Sequence, residues 1–96
     1  MKRHLEQLKE ISNLKDNWNG NGAKAIPSIV ILRAINLFRL IEMKDRLIEV
    51  FPLPYEGVQV EYDNVYGNRI EIEVLKNNLI LHCEKEIIDV DDTIIL

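Results

Sequence analysis

Apolar side chains recur every three residues near the start of this chain and every second residue in its second half. Leu5, Leu8, Ile11 and Leu14 are spaced by threes, with Lys9, Glu10 and Lys15 elsewhere on the wheel. That spacing predicts an amphipathic helix over 3–15. A second helix is predicted over 28–46, opened by Pro27-Ser28, where the Ser28 hydroxyl could cap the first turn. It carries apolar residues almost all round, and its polar strip is led by Arg33, Asn36 and Arg39. An apolar arc this wide exceeds what packing on one sheet needs. The helix is therefore either sandwiched within the domain or partly exposed for a partner.

From residue 47 the period becomes two. Ile48 to Phe51 reads as a short strand, broken by Pro52 and Pro54 because proline cannot donate to a ladder. Val58, Val60 and Tyr62 alternate with Gln59, Glu61 and Asp63. Ile70, Ile72 and Val74 alternate with Arg69, Glu71 and Glu73. Residues 64–68 form the hairpin loop between them, and Lys76-Asn77-Asn78 a second turn before a strand from Leu79 to Cys83. The tail from Ile87 to Leu96 is a final strand or a short docked segment. The expected fold is α+β. Two N-terminal helices pack on one face of a C-terminal antiparallel meander of three to five strands, whose other face is acidic. Residues 1–96 make one domain, helical over 1–46 and sheet over 47–96.

Composition narrows the function. A chain of 96 residues has one core and little apolar surplus for a deep substrate cavity. With 47% apolar and 29% charged residues, the composition is that of an ordinary globular protein and argues against wholesale disorder. The single cysteine, Cys83, allows no intramolecular disulfide. Lys2 and Arg3 lead into an amphipathic stretch rather than the apolar region of a signal peptide. The apolar run Ile29 to Leu32 falls far short of the ~20 residues that span a bilayer. The expectation is a cytoplasmic protein with no membrane association. Charge is unevenly distributed. Residues 1–46 hold nine Lys and Arg against five Asp and Glu, and residues 47–96 three against eleven, a net of +4 beside −8.

Between the helices runs Asp16-Asn17-Trp18-Asn19-Gly20-Asn21-Gly22-Ala23, with two Asn-Gly pairs that signal a tight turn. An indole in so polar a loop wants an apolar seat and a partner for its N–H. Trp18 is expected to fold back on the core as a plug. Trp18, Asn19, Gly20 and Gly22, followed by Pro27, Ser28 and a helix, resemble a motif of small bacterial and phage-borne proteins. Their pattern is Trp-Asp/Asn-Gly-x-Gly-Ala, then proline, a helix and a strand ending in an acidic-aromatic pair, here Glu61-Tyr62. Asn19 stands where Asp is commoner, and Tyr62 where Trp is commoner. The resemblance implies a fold and an accessory gene context. It brings no catalytic residues with it.

No constellation of chemistry emerges. The Gly-containing turn precedes a helix, but a phosphate-binding loop would need Lys-Ser/Thr at the helix start or a preceding strand. Glu61, Glu71 and Glu73, with Asp63, could attract a hard cation but lack the convergent loop of a tight calcium site. His82 and Cys83 are adjacent on a strand and point to opposite faces, so they cannot act together; His82 belongs with the carboxylates and Cys83 with the core. Lys2, Arg3, Lys9, Lys15, Lys24, Arg33, Arg39, Lys44 and Arg46 could form a basic face. The pI of about 5.1 and the lack of a recognisable module argue against nucleic acid.

The preferred reading is a non-catalytic interaction module, antitoxin-, immunity- or accessory-like, with a protein partner or a second copy. No catalytic residue, cofactor, metal or small-molecule substrate is inferred. The candidate interaction surface comprises Arg33, Asn36, Leu37, Arg39 and Leu40 on the second helix, and Glu61, Glu71, Glu73 and His82 on the sheet. The rival readings are a small metal-binding protein or enzyme using the acidic face, and nucleic-acid binding through the basic helices.

Overall fold

The computed structural model describes residues 2–41, 46–64, 66–82 and 87–91; at 2, 46–48 and 87–91 only the backbone is described. Among the described residues two helices, α1 (Lys2–Ser12) and α2 (Ser28–Ile41), precede five strands. These are β1 (Arg46–Leu53), β2 (Gly57–Asp63), β3 (Arg69–Val74), β4 (Asn78–His82) and β5 (Ile87–Asp91). The strands form one antiparallel sheet in sequence order, so every connection is a hairpin. The tail supplies the fifth strand through Asp91. Cys83 and residues 92–96 lie outside the described residues.

Both helices pack on the same face of the sheet. α2 lies over β1, β2 and β3, while α1 lies over β1 and beside α2. The core between the layers joins Leu8, Ile11, Val30, Ala34, Leu37, Phe38 and Ile41 to Val50, Val58, Val60, Ile70, Ile72, Val74 and Leu79. The strand residues in that set are the alternating apolar positions of the sequence, all pointing one way by the period-two rule. The shift from helical to strand periodicity is thus the shift from one layer to the other.

Four local expectations are corrected. Leu5 is exposed, and the face of α1 that enters the core carries His4, Leu8 and Ile11. Steps of three lag ~60° each on an α-helix, so four residues spaced by threes cannot share one narrow face. His4 turns its ring edge-on to Phe38, with centroids 6.3 Å apart at 76°. α2 is described as far as Ile41, and Arg46 already belongs to β1, opposite Asp63, so the helix predicted over 28–46 does not reach its predicted end; residues 42–45 lie outside the described residues. Ser28 is not the cap. The amide of Ile31 bonds the carbonyl of Pro27 at 3.3 Å, which makes Pro27 the capping position and Ser28 the first residue inside the helix. Finally, β1 runs through Pro52, which sits opposite Val58. β1 is an edge strand with one neighbour, so alternate residues need donate to nothing, and an edge tolerates proline there.

Candidate functional surfaces

The loop between the helices is held by its own side chains. Asn19 Oδ1 accepts from the amides of Asn21 (2.8 Å) and Ala23 (3.1 Å). Asn17 Oδ1 accepts from Gly22 at 2.7 Å, and Asp16 Oδ1 from Ala25 at 2.9 Å. Asn17 (φ 65°), Gly20 (φ 76°) and Gly22 (φ 84°) supply the left-handed backbone that so tight a path requires. Trp18 is half-buried and stands apart from the core cluster; its indole N–H donates to the Lys24 carbonyl at 2.9 Å. Ala23 and Ile26 are the loop residues that reach the core. The amide of Lys24 then bonds the Pro54 carbonyl at 3.1 Å, tying this loop to the turn between β1 and β2.

On α2, Val30, Arg33, Ala34, Leu37, Phe38 and Ile41 face inward. Arg33 is buried because its guanidinium Nη1 reaches the carbonyl of Lys76, in the turn between β3 and β4, at 2.8 Å. Of the five α2 residues marked from the sequence, Arg33 and Leu37 are therefore inside, Asn36 is half-buried, and Arg39 and Leu40 are exposed. Leu40 is 55% exposed, and exposed beside it are Ile29 (47%) and Leu32 (54%). Ile29, Leu32, Asn36 and Leu40 follow spacings of three, four and four, one stripe along the helix. Ile29 and Leu32 were not marked from the sequence, although that spacing was legible there.

The outer face of the sheet is a paired polar surface. Glu61, Glu71, Glu73 and His82 are all partly buried. Arg69, opposite Asp63, bonds it at 2.9 Å and lies 3.6 Å from Glu61. Gln59 Nε2 donates to Glu61 at 2.9 Å. Glu73 links two further groups: one oxygen accepts from the Tyr55 hydroxyl, and the other lies 2.7 Å from His82 Nε2. The hydrogen bond to Glu73, then burial, then the carboxylate's charge push the Tyr55 phenol up to about 12. With both oxygens engaged, Glu73 acts as a bracket joining the β1–β2 turn, β3 and β4. Tyr55 was missed from the sequence, where nothing in a Pro-Tyr-Glu-Gly turn points across two strands.

Among the described residues, no three His, Cys, Asp or Glu side chains converge to hold a metal ion. Nor is any helix among them long and apolar enough to cross a membrane. No family model, curated protein or solved structure matches the chain.

Proposed function

We propose that this protein is a non-catalytic interaction module, working in the cytoplasm in an accessory, antitoxin- or immunity-like role, and that it pairs with a second copy through the outer stripe of α2. The observation that carries the reading is the half-exposure of Ile29, Leu32 and Leu40 on one side of a helix whose other side is buried.

A second copy suits this stripe. In an antiparallel α2–α2 contact centred between Ala34 and Ile35, Ile29 of each chain stands opposite Leu40 of the other. Arg33 is drawn inward to Lys76, which keeps its charge out of the contact. The two Arg39 residues would lie on opposite sides of the centre, separated along the axis by roughly 13 Å. Three half-exposed apolar side chains are few beside the roughly 20–30 residues per side of a standard interface, so the expected association is weak.

Light scattering over ~0.1–1 mM chain covers the range where a weak dimer populates. The wild-type mass should rise toward that of a dimer, and Leu32→Glu should stay monomeric with an unchanged melting temperature. A wild-type chain monomeric throughout, or a Leu32→Glu variant that still associates, refutes the reading.

A further inference from the structure

The two edges of the sheet are built differently. β1 carries Pro52, an irregular register between Leu47 and Glu49, and α1 packed over it. Proline and a bulge each obstruct the addition of another strand. Among the described residues β5 forms the opposite edge, and it stays in unbroken register with β4, from His82 opposite Ile87 to Asn78 opposite Asp91. It contains no proline, and among the described residues neither helix backbone comes close to β5, while β4 reaches the core through Leu79. A strand paired on one side alone presents a row of outward N–H and C=O groups.

We infer that β5 accepts an extended segment of a partner protein as a sixth strand, one in which cationic and apolar residues alternate. The chemistry of that segment follows from the register. Val90 extends the row Val58–Val74–Leu79, and Ile88 extends the row Val60–Ile72–Leu81. Those rows belong to the apolar side of the sheet, and α2 lies over their β2 and β3 members. Asp89 extends the row Gln59–Glu73–Ile80, on the acidic side, and Asp91 stands two residues further along. A sixth strand continues both rows when lysine or arginine stands opposite Asp89 and Asp91 and apolar residues stand opposite Ile88 and Val90. A second copy is the wrong occupant. Full antiparallel overlap of two β5 strands sets the two Asp89 residues directly opposite each other, and like charges so placed repel. This edge is separate from the α2 stripe, and either surface can fail without the other.

The test uses the full chain and synthetic peptides of about ten residues, long enough to cover a typical strand. One alternates lysine and valine, and one alternates glutamate and valine. Two further Lys–Val peptides are N-methylated on alternate amides, one in each parity. Fluorescence anisotropy gives the affinities, and amide NMR locates the site. The Lys–Val peptide should bind saturably, protect the amides of residues 87–91, and bind the Leu32→Glu variant equally well. N-methylation in one parity should weaken it at least about tenfold, while the other parity is tolerated, because only one edge of an added strand faces β5. The double variant Asp89→Lys/Asp91→Lys should prefer the Glu–Val peptide. If that variant does not fold, the N-methyl comparison on the wild-type chain decides. Absence of Lys–Val binding, equal binding of all three Lys–Val peptides, or a folded double variant with unchanged preference would each overturn the inference.

Discussion

Asn19 offers a sharp test of what holds the loop between the helices. Its side-chain oxygen accepts two backbone N–H groups, from exposed Asn21 and from Ala23, which is 2% exposed. In Asn19→Ala, the Asn21 amide regains water at a cost of about 0.5 kcal/mol. The Ala23 amide is poorly placed to do so, and losing its partner costs about 1–1.5 kcal/mol. The sum, roughly 1.5–2 kcal/mol, lowers the melting temperature of a domain this size by roughly 10 °C. Asn19→Asp keeps an acceptor at the same place and adds charge to both bonds. It should stay within about 0.5 kcal/mol of wild type at pH 7, allowing for repulsion from nearby Asp16. A carboxylate accepting N–H bonds has a lowered folded-state pKa, so its contribution is present above about pH 4 and fades as the pH falls through the folded value. Thermal melts followed by circular dichroism from pH 3 to pH 7 cover both effects. An Asn19→Ala melting temperature within about 1 °C of wild type would show that the loop is held by something else, and the argument would fail.

Three further outcomes follow from single side chains. Phe38→Ala empties a fully buried site between α1 and the sheet and should cost about 3–5 kcal/mol in urea unfolding; a loss under about 1 kcal/mol would mean that the core is not where it is drawn. Glu56 has a left-handed backbone (φ 66°) and an ion pair with Lys76. Glu56→Gly should still gain about 0.5 kcal/mol, because relief of the strain outweighs an exposed pair; a net loss in the same assay would refute that ranking. For Tyr55, the folded pKa of about 12 lies above the ordinary 10.0, so the bond to Glu73 stabilises the fold below pH 10 and is lost as the pH rises toward 12. Wild type should lose more stability than Tyr55→Phe across that window, and a late-titrating phenol should be missing from the variant's absorbance titration; identical curves would contradict the Glu73 bracket.

The layered fold was legible because it rests on periodicity, which is local and repeated. Val58, Val60, Ile70, Ile72 and Val74 all occupy the buried side that their alternation implies. What was not legible depends on contacts made at a distance. Pro52 reads as a break unless β1 is known to be an edge. Arg33 reads as surface until the turn at Lys76 brings a carbonyl to it. Trp18 reads as a plug because an indole in a polar loop wants an apolar seat, yet Ala23 and Ile26 are the loop residues buried, and the indole closes the loop through Lys24 instead. On α2 the width of the apolar arc was visible. Which part would stay outside depended on where the sheet lay, and that placed Leu37 inside and left Ile29 and Leu32 out.

The antiparallel pairing of α2 with α2 is tested most directly by a distance between copies. A nitroxide on Ser28→Cys, in a Cys83→Ser background, places one label near each end of the paired helices. Pulsed electron resonance at ~0.5 mM chain should give a spin–spin distance of roughly 20–30 Å, from the length of α2 and a helix separation of 8–10 Å. That signal should vanish when Leu32→Glu is added. No dipolar signal in the wild-type background, or one that survives Leu32→Glu, would contradict the account.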